Sequence, residues 1–87
     1  MKIYFENNSA FDENDNNIKE VIKDILENDA NMAGNILLEE IAYDEARDYE
    51  TEDGFVENHY KDCDFYFAYY IVCGNWNQAI GIVAVEY

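Results

Sequence analysis

Basic residues are scarce in this sequence. Five Lys and Arg oppose 20 Asp and Glu in 87 residues, which leaves a formal net charge of −15 at pH 7. Such a surface repels nucleic acid and anionic lipid, because both are negatively charged and are attracted to the Lys and Arg side chains of proteins. The charge lies well beyond the magnitude of about 2–8 that suffices for a small soluble domain. A basic protein surface is therefore the favoured partner, and such surfaces belong most often to proteins that handle nucleic acid.

Long apolar runs and targeting signals are also missing. No run approaches the roughly 20 apolar residues that span a bilayer, and the first fifteen residues contain no apolar core like that of a secretory signal. We therefore expect a cytoplasmic protein, located in the host cell cytoplasm if a phage encodes it. In that compartment Cys63 and Cys73 are expected to be reduced and buried.

Residues that carry catalysis or bind cofactors are few. With one His, one Ser and no Gly-rich phosphate loop, the sequence predicts no enzyme and no cofactor. Residues 12–16 resemble the start of a calcium loop, but Lys23 stands where a bidentate Glu is needed. The spacing of His59, Cys63 and Cys73 matches no strong zinc pattern. We interpret the calcium-like segment as an Asn-rich loop in which Asn16 or Asn17 caps the following helix. We interpret Cys63 and Cys73 as buried thiols and His59 as a surface residue.

The remaining composition predicts a folded chain with one domain over residues 1–87. Proline is absent, 49% of the residues are hydrophobic and 16% are aromatic, which argues against disorder. Residues 2–6 alternate as a strand, and residues 18–26 place apolar side chains at helical spacing. We predict a second helix over about 31–49, an edge strand or ordered loop over 55–61, and two strands over 62–73 and 78–87 joined by a turn at GNWN.

The predicted fold class is α+β, with an N-terminal strand, two helices, and a C-terminal antiparallel hairpin or three-stranded meander packed on the helices. The first strand can join this sheet. Alternation predicts two groups that each share a face: Cys63, Phe65, Phe67, Tyr69, Ile71 and Cys73 on one strand, and Ile80, Ile82 and Ala84 on the other. One face is expected to pack on the helices, and the other is either partly covered or exposes tyrosines to a partner.

The stretch EEIAYDEARDYETEDG, residues 39–54, contains eight acidic residues and one arginine. In the predicted second helix, Glu40, Asp44 and Asp48 form a row four residues apart, where like charges cost about 0.2–0.5 kcal/mol per pair. A solvated surface is one interpretation. The other is that function overrides stability here. Carboxylates one turn apart are spaced by about 6 Å, and neighbouring phosphates of a nucleic-acid strand are spaced similarly.

The small size, extreme acidity and α+β pattern resemble the phage-encoded DNA mimics, which are anti-CRISPR and anti-restriction proteins. The resemblance covers the general character of the whole chain. It implies an inhibitor that binds a basic nucleic-acid groove of a defence nuclease, foremost a CRISPR effector, through a phosphate-mimicking surface. Two alternatives remain open: an immunity protein that neutralises a nuclease toxin, and a structural or regulatory homodimer that pairs through the second face of the hairpin.

The predicted partner-binding residues follow from this hypothesis. Tyr43 and Tyr49 are the expected aromatic anchors, since interface hot spots favour Tyr, Trp and Arg. Trp76 is either a further anchor or a ring folded back over the hairpin. The full predicted set is Glu39, Glu40, Tyr43, Asp44, Glu45, Asp48, Tyr49, Glu50, Glu52, Asp53, Glu57, Asp62, Asp64 and Trp76.

Overall fold

A five-stranded antiparallel sheet organises the chain. A computed structural model describes residues 1–7, 16–48 and 54–87, with the backbone alone described for residues 5–7, 16 and 17. The element order is β1 (Lys2–Asn7), α1 (Asn16–Glu27), β2 (Met32–Ala33), β3 (Ile36–Ile41), α2 (Tyr43–Asp48), a turn of π-helix (Phe55–His59), β4 (Phe65–Cys73) and β5 (Trp76–Glu86). The fold is of the α+β class that the sequence predicts. Neither helix in the described ranges has the length and apolarity needed to cross a membrane.

The last strand lies inside the sheet, whose order is β1-β5-β4-β3-β2. Strand β5 pairs with β1 from Lys2 opposite Glu86 to Asn7 opposite Gly81, and with β4 along its other edge. The first strand therefore joins the sheet, as predicted. Gly74 and Asn75 form a two-residue turn between paired Cys73 and Trp76. Gly74 has φ +66°, a conformation typical of such hairpins.

Helix α1 covers one face of the sheet. Ile18, Ile22 and Ile25 are 8%, 0% and 1% exposed, and they pack in one cluster with Leu38 and Tyr69 among the strand residues. Burial of each isoleucine stabilises the fold by about 1.5–3 kcal/mol. The helical spacing in residues 18–26 is thus confirmed. The proposed caps Asn16 and Asn17, and residues 12–15 of the calcium-like stretch, lie outside the described side chains.

The predicted continuous helix over 31–49 is wrong, because Met32–Ala33 and Ile36–Ile41 form strands. Strand β3 pairs with β4 from Ile36 opposite Ile71 to Ile41 opposite Tyr66, and of the described residues in this stretch only Tyr43–Asp48 is α-helical. Leu and Glu favour helices, and a short apolar run cannot distinguish the two periods. Pairing with β4 and burial of alternate side chains of β3 override that local preference.

Helix α2 and the π-helical turn cover the other face of the sheet. Ala46, Phe55 and Val56 are buried there against strand side chains. The buried strand residues of this cluster are Ile41, Tyr66, Ala68, Ile82 and Ala84. Residues 55–59 thus form a helical turn rather than an edge strand. The two sheet faces are packed on different helical segments, whereas the sequence predicted that both helices share one face.

Two predicted face assignments are wrong for local reasons. Tyr69 pairs with Gly81 whereas Tyr70 pairs with Ala79, so Ile80 is the extra residue of a β-bulge. Ile80 consequently packs on the α1 side, opposite to Ile82. Cys63 precedes β4 and packs on the α2 side, not with Phe67. Both cysteines are free and half-buried, so they are less buried than predicted.

Replacement of Gly54 by Ala is expected to destabilise the fold. Gly54 has φ +68°, and an added Cβ would lie 2.7 Å from Asn58 Nδ2. The left-handed conformation alone costs a non-glycine residue about 1–2 kcal/mol. Gly34→Ala is the matched control, because Gly34 has φ +59° with no atom within 4 Å of its added Cβ. Urea unfolding should show a larger loss for Gly54→Ala than for Gly34→Ala, and equal losses would contradict a role for the Asn58 contact.

Candidate partner-binding surface

The acidic side chains lie at the surface of the protein. Every Asp and Glu side chain that the structure describes is exposed, and no charged side chain in the described ranges is buried. The carboxylates therefore contribute little to packing. They create a negative electrostatic potential around the fold, which attracts basic partners over distances of about one Debye length, roughly 8 Å at physiological salt.

Few of these carboxylates have a basic partner. Within the described ranges, the ion pairs are Lys2–Glu86 at 4.0 Å, Lys23–Glu27 at 3.9 Å, and Arg47 with Asp44 at 3.6 Å and with Asp48 at 3.4 Å. All of the participating side chains are well exposed, and such pairs contribute about 0–1 kcal/mol. The net repulsion is therefore only weakly offset.

Added salt is expected to stabilise the fold, because it screens this repulsion. Raising NaCl from about 0.01 M to 0.15 M shortens the Debye length from about 30 Å to 8 Å. The thermal unfolding midpoint, followed by circular dichroism, should rise over that range. An equal concentration of an uncharged osmolyte provides the control for effects other than screening. A midpoint that is unchanged or lower in salt would show that the charges are too dispersed to affect stability.

Helix α2 contains the centre of the acidic stretch and its own neutralising cation. Arg47 lies within ion-pair distance of both Asp44 and Asp48, and its guanidinium carbon is 5.9 Å from the centre of the Tyr43 ring. The hydrogen bond to Asp48 and the charges of both carboxylates raise the pKa of Arg47. The predicted row of Glu40, Asp44 and Asp48 on one helix is therefore wrong, since Glu40 lies on β3 and the other two pair with Arg47.

A second acidic group lies where β3 and β5 end and β4 begins. Asp62 and Asp64 precede β4, and Glu86 ends β5. The backbone amide of Asp64 donates to the Val85 carbonyl at 2.9 Å, and the Tyr87 amide donates to Asp64 Oδ2 at 2.8 Å. We name this group, which also includes Asp29 and Glu40, the strand-end surface; its members are Asp29, Glu40, Asp62, Asp64 and Glu86.

Two shallow grooves are lined by four of these five carboxylates. One is lined by Asp29 and Glu40 together with aromatic side chains that include Phe65 and Tyr87. The other is lined by Asp62 and Glu86 among its residues. The first groove is on the α1 face and the second is on the α2 face. The strand-end surface therefore extends around one end of the sheet from face to face.

The other predicted residues lie elsewhere. Glu39 pairs with Ala68 and faces the α2 side, opposite to Glu40. Glu45 is exposed on α2, and Glu57 is exposed on the π-helical turn. Trp76 is 58% exposed at the hairpin tip, at the far end of β4 from Asp64. The predicted residues Tyr49, Glu50, Glu52 and Asp53 lie outside the described part of the chain.

The tyrosines on the α2 face are largely committed to packing. The Tyr43 ring is edge-on to Tyr66 with 5.7 Å between centroids, and Tyr4 stacks on Tyr60 at 4.4 Å. The Tyr66 hydroxyl donates a 2.6 Å hydrogen bond to the Tyr60 carbonyl, and burial raises the pKa of Tyr66. The hydroxyl thus keeps its proton and this bond well above neutral pH. Tyr43, predicted as an anchor, is half-buried within the fold.

The second groove brings together two of the suspected zinc ligands, His59 and Cys63. Burial and nearby carboxylates raise the pKa of the Cys63 thiol, which disfavours the thiolate that binds metals and attacks electrophiles. In the described ranges, no group of three or more His, Cys, Asp or Glu residues is placed to hold a metal ion.

Sequence reasoning missed Asp29, Phe65 and Tyr87 as surface residues of interest. Asp29 has φ +52°, and it occupies the position after α1 where glycine is preferred. An Asp in place of this glycine breaks a local preference, and such departures are expected at functional sites. Alternation predicts one shared face for Phe65, Phe67 and Tyr69, and Phe65 is 42% exposed on it. Phe65 is the first residue of a strand and directly follows the charged segment DCD, and this position is the sequence signal for its exposure.

No protein-family model, curated protein or solved structure matches this chain.

Proposed function

We propose that this protein is an inhibitor that occupies a basic nucleic-acid groove of a defence nuclease, foremost a CRISPR effector. The observation that carries the proposal is the combination of a net charge of −15 with the surface exposure of every described carboxylate side chain. The protein is not an enzyme in this proposal, and it needs no cofactor. Its role is to present negative charge on a folded scaffold.

The strand-end surface is the proposed contact region. Within the described residues, Asp29, Glu40, Asp62 and Asp64 lack an ion-pair partner, so no described cation of the chain competes with a basic partner for them. The α2 carboxylates Asp44 and Asp48 have Arg47 beside them, which reduces their attraction for another cation. Charge complementarity of this kind accelerates association and selects against acidic partners.

An immunity protein against a nuclease toxin uses the same physical chemistry, because its target is also a basic nucleic-acid enzyme. The homodimer alternative relies on a free second face of the hairpin. Much of that face is covered by Ala46, Phe55 and Val56 within the chain. The coverage favours the inhibitor proposal over pairing through that face.

A competition experiment tests the proposal directly. Fluorescently labelled DNA is bound to a guide-loaded CRISPR effector, or to a nuclease toxin in a parallel series, and the protein is added. Displacement should lower the fluorescence anisotropy, and the apparent affinity should fall steeply as salt rises. Lack of displacement across both series at low salt would overturn the proposal. Displacement only in the toxin series would favour the immunity protein.

A further inference from the structure

The groove on the α1 face combines aromatic and acidic side chains. Its lining includes Phe65 and Phe67 on β4, Tyr87 directly after β5, Asp29 beyond the end of α1, and Glu40 on β3. Leu26 and Ala30 complete it. Among the residues described, no basic side chain lines the groove. It is therefore a partly apolar concavity with negative charge at its edge and no internal cation.

The aromatic rings are held in place and remain accessible. Phe65 and Tyr87 meet edge to face, with 5.6 Å between their centroids and 88° between their planes. Phe65 is 42% exposed and Tyr87 71% exposed. The hydrogen bond from the Tyr87 amide to Asp64 fixes the backbone of this residue. Exposed ring faces beside carboxylates favour a cation, because the ring quadrupole and the carboxylate both attract it.

The two carboxylates reach the groove from separate elements. Glu40 pairs with Phe67 across the β3–β4 ladder, so both side chains project from the α1 face. Asp29 is placed by the C-terminal turn of α1, in which the Ala30 amide donates to the Ile25 carbonyl at 3.0 Å and the Asp29 amide to Leu26 at 3.3 Å. This Schellman-type cap usually employs glycine at the left-handed position. Asp29 thus places a charge beside the groove at a position where glycine would relieve backbone strain.

We propose that this groove binds an arginine side chain of the basic partner, an inference that rests on the proposed function for the identity of that partner. The guanidinium is planar, so it can stack on an aromatic ring and donate to a carboxylate at the same time. A lysine ammonium is more strongly hydrated and donates from a point, which suits this combination less well. The groove is thus an anchor for one residue within a broader electrostatic contact.

The chain alone is sufficient for the test. N-acetyl-arginine amide is titrated into the ¹⁵N-labelled full chain, and amide chemical shifts are followed by NMR. The shifts should concentrate at residues 29, 40, 65, 67 and 87. N-acetyl-lysine amide should bind more weakly, and the uncharged N-acetyl-citrulline amide should produce little change.

Two adjacent glutamates supply a matched pair of variants. Glu40→Gln and Glu39→Gln remove the same charge from neighbouring exposed residues on opposite sheet faces. Glu40→Gln should weaken arginine binding about three- to tenfold, a difference readily resolved in a titration. Glu39→Gln should change it by less than about twofold, the part due to long-range charge alone. Asp29→Gly should also weaken binding while retaining the fold, because glycine suits the cap.

The outcomes separate the groove from the nuclease proposal. Arginine binding that is weakened by Glu40→Gln and not by Glu39→Gln supports the arginine site in the groove, whatever the competition experiment shows. The arginine site would be overturned by equal weakening in both variants, by a lysine or citrulline probe that binds as tightly as the arginine probe, or by shifts spread over the whole surface. If the groove binds arginine but no nuclease is displaced, the proposed function fails and the arginine site remains.

Discussion

Replacement of Glu40 and Asp62 by lysine is expected to weaken inhibition of the partner nuclease by about 100-fold or more. Both side chains are exposed, and they belong to the two grooves of the strand-end surface. Each reversal converts an attractive charge pair with the partner into a repulsive one, and close pairs across such interfaces carry about 1.5–7 kcal/mol. Asp64 is left unchanged, because its carboxylate accepts the Tyr87 amide hydrogen. Nuclease cleavage and DNA displacement are the two measurements.

The matched control reverses Glu20 and Asp24 on α1, which changes the net charge by the same amount. Both residues are exposed on the outer side of the helix, away from the sheet. This control should reduce inhibition much less than the Glu40 and Asp62 variant. A third variant, with Asp44 and Asp48 reversed, should have an intermediate effect, because Arg47 already neutralises part of that site. Full inhibition by a folded variant with Glu40 and Asp62 reversed would show that the strand-end surface faces solvent and does not contact the partner.

Replacement of Ile22 by Ala is expected to cost about 2–5 kcal/mol of unfolding free energy, the range for a buried large-to-small change. Ile22 is 0% exposed and packs between α1 and the sheet. Small domains bury a limited fraction of their surface, and the repulsion among carboxylates reduces the stability further. The variant should therefore be largely unfolded in low salt and regain structure when salt is added. Circular dichroism at several NaCl concentrations measures both effects.

Val21→Ala provides the comparison on the same helix. Val21 is half-buried at the edge of the same cluster, and its truncation removes less buried surface. Its cost should be well below that of Ile22→Ala. Similar losses for the two variants would contradict the orientation of α1 on the sheet, since they would place the two side chains in equivalent surroundings.

The elements that sequence reasoning predicted correctly are those in which one local signal, a helical period or a run of strand-forming residues, extends over many residues. Ile18, Ile22 and Ile25 repeat with the helical period and form the buried side of α1. Strand β4 is nine residues long, and most of its residues are β-branched or aromatic, so local preference and tertiary pairing agree.

Strand β3 could not be predicted in the same way. In ILLEEI the apolar residues fit a helical face as well as a strand, and Leu and Glu favour the helix. The decisive interaction is the ladder with β4, which involves residues far away in the sequence. The same limit applies to the bulge at Ile80, because its register depends on two strands at once.

The candidate surface was predicted in its chemical character more than in its geometry. Composition alone indicates an acidic surface, and every described carboxylate is indeed exposed. The arrangement required the fold, since Glu39 and Glu40 are adjacent in sequence yet face opposite sides of the sheet. Arg47, in turn, was expected to oppose the acidic stretch only as a lone charge, whereas it pairs with two of its members.

The position of β5 between β1 and β4 has a consequence for how the chain folds. The pairing of Lys2 with Glu86 joins residues from nearly opposite ends of the sequence, and such non-local contacts impose a large loop-closure entropy before any stabilisation is gained. The β4–β5 hairpin is local and can form within microseconds, as hairpins do. Docking of β1 is therefore expected to be a late step, so that its residues contribute little to the folding transition state and mainly slow unfolding.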